Sequence, residues 1–242
     1  MKTTMKKLAA LLMAVCMVLC FAACGDSSDS SDNSGEGNGD GGSANAEATG
    51  GVEITDSGYS IDTSDGDVYA YYGVKFKNNS DSDAYEFTTI TITAKDAEGT
   101  VIASEDQMMN TLQPGEEQAF GSSLDCNGEK PETIEFTIDE GDEIYADESA
   151  IKSSDIEITD TNERTDEYGD TAYTGTVKNN SEKDTDSIGI TLLLYKDGKI
   201  VYGDFTFVDN VKAGAEKALD MSEYDVPEHD SYELSGYDWG FN

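Results

Sequence analysis

The chain has 242 residues, with 51 acidic against 15 basic side chains and a formal net charge of −36. That length holds a leader and one or two domains, and that charge repels nucleic acid and anionic lipid, which excludes both as expected partners. The single histidine excludes histidine-rich zinc sites by count.

The chain opens on Lys2, Lys6 and Lys7, followed by an unbroken apolar run of 16 residues from Leu8 to Ala23. This is the length of a signal-peptide core and short for a spanning helix, which needs about 20 residues. Phe21-Ala22-Ala23-Cys24 then resembles the lipobox of bacterial lipoproteins, with Phe21 where Leu is usual. The resemblance implies cleavage before Cys24, a thioether-linked diacylglycerol on it, and often acylation of the new amino terminus. It places the protein on the outer face of a bacterial cell membrane. An ordinary secretory cut and an uncleaved anchor are the competing readings. Two acyl chains anchor stably where one binds marginally. Loss of the three leader lysines takes the charge from −36 to −39. Cys16 and Cys20 leave with the leader and Cys24 is acylated, so Cys126 stands alone and no intrachain disulfide forms.

Residues 24–51 lack any large aliphatic or aromatic side chain and read as a disordered, lipid-anchored linker. A Gly/Ser-type coil of that length reaches roughly 30 Å, and its negative charge extends it further. From Val52 the composition changes. Val52-Glu53-Ile54-Thr55-Asp56 returns as Ile156-Glu157-Ile158-Thr159-Asp160, and Tyr72–Ser80 returns as Tyr173–Ser181 with Lys-Asn-Asn-Ser identical. Lys95-Asp96 matches Lys196-Asp197 at the same offset of 101, which becomes 99 beyond the turn. Such an ordered internal repeat predicts two homologous domains, 52–146 and 156–242, joined by 147–155.

Each copy reads as strands. Val68, Ala70, Tyr72, Val74 and Phe76 alternate with smaller or more polar residues. Asn78-Asn79-Ser80, Asp96–Gly99, Pro114-Gly115 and Lys196–Lys199 supply turn chemistry. Ile134, Phe136 and Ile138 alternate again, as do Tyr232 and Leu234. The expected fold is all-β: two tandem β-sandwiches. Gly175–Ser181, Leu192–Lys199 and Val211-Lys212-Ala213-Gly214 are similar to the FxLYD family, and repeat one keeps that family's late turn as Leu112-Gln113-Pro114-Gly115. A Lys intervenes before the Asp in both copies, and repeat one has Ala94 where the family has Tyr. The resemblance implies immunoglobulin-like sandwiches on bacterial surface proteins, mostly without assigned activity.

Chemistry is sparse. His229 lies in a turn-like acidic stretch and reads as an exposed loop histidine, and Cys126 reads as an unreactive cysteine. Calcium ligands are conceivable at Asp62, Asp65 and Asp67, or at Asp139, Glu140, Asp142 and Glu143, without matching EF-hand spacing. A solvated acidic loop is the plainer account. No catalytic residue, metal site or cofactor is predicted. Tyr237 and Trp239 are candidates for contact with sugar or peptide, because such rings pair an apolar face with a wet tip. At the offset of 101, Ile188, Ile190, Leu192 and Leu194 replace Phe87, Thr89, Thr91 and Thr93, so repeat two is apolar on both faces of this strand. Cover by a loop or the carboxyl tail is one reading of that second face; contact with the other domain or a partner is the other. The expected function is non-catalytic binding or adhesion in the cell envelope, to an envelope protein or glycan. The alternative is an extracytoplasmic enzyme, or enzyme accessory, acting on envelope material through carboxylates.

Overall fold

The computed structural model describes residues 51–63 and 66–239, so the leader, Cys24 and nearly all of the linker lie outside the described residues. What is described is all-β. In chain order the first half carries β1 (Val52–Asp62), β2 (Tyr69–Asn78), β3 (Asp83–Glu86), β4 (Thr89–Lys95), β5 (Val101–Met108), β6 (Glu117–Asp125), β7 (Thr133–Asp139) and β8 (Asp142–Tyr145). The 3-10 turn Ser153–Asp155 leads into β9 (Ile156–Thr165), β10 (Thr171–Asn179), β11 (Thr185–Lys196), β12 (Lys199–Val211), β13 (Glu216–Glu223) and β14 (Ser231–Asp238).

Local chemistry sets the connections. Asp197 and Gly198 both have positive φ, 52° and 76°, the type I′ geometry whose twist matches the flanking strands β11 and β12. Pro114-Gly115 turns the chain into β6, with Gly115 at φ 72° and the Glu116 amide donating to the Gln113 carbonyl.

The sheet order of the first half recurs in the second. The sheet β1-β2-β6 has its counterpart in β9-β10-β13, and β5-β4-β7 has its counterpart in β12-β11-β14. The small pair β3-β8 was not anticipated from the sequence. In the first half the core lies between the two sheets, with Ala70, Tyr72, Val74 and Phe76 of β2 against Ile90, Ile92 and Phe136. In the second half Val177, Leu219, Ile188 and Ile190 fill one end, and Tyr173, Met221, Leu192 and Leu194 the other.

The strand registers correct one expectation. Ala94 pairs with Ala103 and Ile134, and Leu194 pairs with Tyr202 and Tyr232, so Ala94 corresponds to Leu194 at an offset of 100. The shared Lys-Asp pair had held the offset at 101. A slip of one residue moves every side chain to the other face. Ile190, Leu192 and Leu194 therefore match the core residues Ile90, Ile92 and Ala94. The face that has changed character is Gly189, Thr191, Leu193 and Tyr195, standing where repeat one has Thr89, Thr91, Thr93 and Lys95.

Candidate functional site at the seam between the repeats

That changed face lies against the first half. Leu193 is fully buried in a cluster with Ala119 of β6 and Ile200 of β12, and the Thr191 hydroxyl donates to the Ala119 carbonyl at 2.7 Å. Close approach is set by glycine. Gly58 pairs with Gly73 and Gly73 with Gly121, which makes one glycine row across β1, β2 and β6. Strand β12 lies on this row through Gly203. A Cβ on Gly121 would come 2.5 Å from the Asp204 nitrogen, and one on Gly203 would come 2.5 Å from the Tyr72 carbonyl oxygen. Glycine inside a strand marks such a backbone approach. At the matching register positions repeat two carries Asn162, Thr174 and Asp220, of which Asn162 and Asp220 are exposed and Thr174 half-buried.

Aromatic and charged contacts flank the row. Tyr71 stacks on Tyr202 with ring centres 5.0 Å apart, and Phe120 packs on Phe205 at 5.3 Å. Lys75 of β2 reaches both carboxylate oxygens of Glu233 of β14, at 2.9 and 3.1 Å, while the Tyr195 hydroxyl donates to the same carboxylate at 2.9 Å. This ion pair and Glu117 form part of the wall of a cavity of about 220 Å³, lined from both repeats. Its walls include Gln118 and Ala119 of β6, Ile156 and Ile158 of β9, and Leu234, Ser235 and Tyr237 of β14. Three buried side-chain atoms of this wall have no hydrogen-bond partner: Gln118 Oε1, Ser235 Oγ and Tyr237 Oη. Gln118 is 5% exposed and Tyr237 1%. Buried polar atoms are normally satisfied, and leaving one unpaired costs about 1–3 kcal/mol. All three belong to residues that line the cavity, but each atom has under 1 Å² of accessible surface and is sealed within the wall.

A second polar feature sits at the edge of the seam. Glu223 is 8% exposed, accepts from the Tyr202 hydroxyl at 2.8 Å, and shares a hydrogen bond with Asp204. Burial first, and the Asp204 charge second, push its carboxyl up from 4.5 to about 8. The folded state therefore holds this proton more tightly than the unfolded chain. The stability it confers is fully present below pH 4.5 and is lost as pH rises through about 8. Glu223→Gln keeps an acceptor for Tyr202 and a donor for Asp204 without the charge. It is expected to match the parent near pH 4.5 and to exceed it at pH 8.5 by on the order of 2 kcal/mol, roughly 4–8 °C in Tm. Thermal melts across that range check it; equal pH slopes in the two proteins would reject the account.

The other residues singled out by sequence are placed as follows. Cys24 and Asp65 lie outside the described residues. Ile188, Ile190, Leu192 and Leu194 are fully buried inside repeat two, so the contact is made by the opposite face. Cys126 is buried and free, its Sγ is 3.6 Å from the Leu124 carbonyl oxygen, and burial raises its thiol pKa. His229 is not an exposed loop residue: its side chain is 11% exposed, packed near Tyr173, with Nε2 2.8 Å from Glu163 and Nδ1 2.9 Å from the Pro227 carbonyl. Glu140 accepts from the Gly51 amide and the Asp139 carboxylate from the Gly141 amide, while Asp142 and Glu143 belong to β8. Among the described residues no cluster of three or more His, Cys, Asp or Glu could hold a metal ion. Tyr237 is buried in the cavity wall instead of on the surface, and Trp239 joins Phe205 and Phe207 in an aromatic group.

Gln118, Ser235 and the glycine row escaped sequence reading. The available signal was glycine after an aromatic residue inside strand patterns, at Tyr72-Gly73, Phe120-Gly121 and Tyr202-Gly203. No family model matches the chain, and no curated protein matches it.

Proposed function

We propose that this is a lipid-anchored bacterial cell-surface protein with a non-catalytic binding role, built from two tandem immunoglobulin-like sandwiches related to the FxLYD family. The binding reading is supported by the seam cavity, which residues of both repeats line. The sandwich reading is supported by the repeated sheet order in the two halves. The anchor reading rests on Phe21-Ala22-Ala23-Cys24 and the positive, apolar leader before it. Lipid on Cys24 would hold the amino end of the linker at the membrane and leave the strands outside it.

Two measurements test this. Cys24→Ser is expected to abolish detergent-phase partitioning, and to release processed protein into the medium or leave an unprocessed precursor; unchanged partitioning would refute the anchor. The parent protein, used as bait on envelope extract, is expected to retain envelope material that is lost when the cavity residues Ser235 and Tyr237 are replaced by Ala and Phe. Retention indifferent to those replacements would move the binding role away from the seam.

A further inference from the structure

We propose that the seam cavity binds a primary alkylammonium, such as the end of a lysine-like side chain, with its charge between Glu117 and Glu233 and its stem along the apolar wall. This rests on the binding role proposed above and gives that role its ligand class. Charge carries the argument. On the outer face of β1-β2-β6, register places Glu53, Lys77 and Glu117 in one row and Asp56 and Lys75 in the next. Glu233 of β14 joins them at Lys75, so four carboxylates face two ammoniums. The two carboxylates of the cavity wall are reachable, with 46% of the Glu117 side chain and 39% of the Glu233 side chain exposed. Glu233 already holds one ammonium, that of Lys75, at 2.9 and 3.1 Å. Glu117 stands 3.8 Å from the same nitrogen, too far for a hydrogen bond, which leaves its oxygens open to a second ammonium.

The cavity supplies the place for a stem. Ile158 and Leu234 are half-buried in its wall, and an alkyl chain lies along such side chains while its charged head stays at a polar rim. About 220 Å³ equals roughly seven water molecules at ~30 Å³ each, room for an ammonium on a stem of a few carbons. Asp56 shows the same shortage of cations: burial first holds its carboxyl above 3.8, Glu233 adds to this, and Lys75 does not offset them. An anion would meet a net negative wall. A bare metal ion would find no cluster of three ligating side chains among the described residues. Because Glu117 belongs to one repeat and Glu233 and Leu234 to the other, an alkylammonium bridges the seam. Its binding should therefore raise Tm by mass action.

The test is calorimetric titration and thermal melting of the full chain in non-ionic detergent with n-butylammonium, ammonium, n-butanol and butyrate. The expected result is saturable binding of n-butylammonium with a matching rise in Tm, about tenfold or more tighter than ammonium or n-butanol and weakened by added salt. Glu117→Gln and Glu233→Gln should each weaken it about tenfold. Lys75→Met, which frees Glu233, should tighten it by about the same factor, a change of sign that a merely structural role for these residues would not give. Nα-acetyl-lysinamide carries the same stem on a peptide backbone and names the source: tighter binding than n-butylammonium marks a peptide side chain, weaker binding a free amine. No saturable binding of n-butylammonium overturns the proposal. So does equal binding of n-butanol or butyrate, or binding unchanged in Glu117→Gln and Glu233→Gln. Envelope retention that depends on Glu117 and Glu233, without affinity for n-butylammonium, would remove this ligand class and leave the binding role standing.

Discussion

Replacing Gly73 by Thr and Gly121 by Asp should open the seam while leaving each repeat folded. These are the residues that repeat two itself carries at the same register positions, as Thr174 and Asp220, so each is compatible with this sheet. What they are incompatible with is β12. A Cβ on Gly121 would meet backbone atoms of Gly203 and Asp204, and one on Gly73 would meet Leu193 and Ile200. A flexible side chain can move aside, but a strand bonded along β11 cannot. Overpacking a single site costs about 1–3 kcal/mol. Two sites on adjacent strands should exceed what the seam contributes. One compact body of about 190 residues has a radius of gyration of about 16 Å, and separated repeats should scatter as a body several ångströms larger. Small-angle scattering and a melt that splits into two transitions check this. Unchanged scattering with a single transition would mean that the seam is held by something other than the glycine row.

The same comparison shows what the two repeats present on their outward faces. Repeat one presents Thr89, Thr91 and Thr93 on the outer face of β4, with Thr91 hydrogen-bonded to Asp106 and Thr93 to Ser104. Repeat two presents Asn162, Thr174 and Asp220 on the opposite end. Among the described residues the apolar outer face on β11 and the glycine trough on β1-β2-β6 occur once each, and they meet. Stacked repeats need polar outer faces at their ends to stay soluble, and both faces here are mainly polar, with Met108 and Val101 the exposed apolar side chains beside the threonines.

Sequence revealed the strands and the repeat because local chemistry carried them. Asp197-Gly198 and Pro114-Gly115 are turns for reasons that no distant residue alters. The face of β11 was misread because one shared dipeptide, Lys95-Asp96 and Lys196-Asp197, outweighed the strand. The turn in repeat one holds one extra residue between paired positions, not two, and pairing reveals it where letter matching does not. The cavity was illegible for a different reason. Gln118, Ser235 and Tyr237 lie on β6 and β14, more than a hundred positions apart, and they converge only because the two sheets pack. Their significance is that they lack partners, a property no sequence records.

The shared Lys-Asn-Asn-Ser motif is where local sequence and long-range packing join, and removing its first Asn should be among the costliest single changes. Asn179 is fully buried at the end of β10. Its amide nitrogen donates to the carbonyls of Lys183 at 2.8 Å and Val211 at 3.2 Å, and its oxygen accepts from the Ser181 amide at 3.0 Å. Asn78 repeats the arrangement, donating to Asp83, Leu112 and Gln113 and accepting from Ser80. Each Asn thus ties its own turn to the loop entering β6 or β13. An Ala there leaves two or more buried groups unpaired at about 1–3 kcal/mol each. Asn179→Ala should therefore lose roughly 3–5 kcal/mol, about 6–20 °C in Tm. The neighbouring Asn180→Ala provides the control, because that side chain is exposed and bonds only Glu157 among the contacts described. It should cost less than about 1 kcal/mol, as surface changes do. Asn179→Asp adds a sign. Its carboxylate would replace a donor facing carbonyl oxygens, so its penalty should grow as pH rises and the group ionises. Thermal melts of the three variants at pH 4 and pH 7 decide the matter. Equal losses for Asn179→Ala and Asn180→Ala would show that the motif recurs for a reason other than this buried amide.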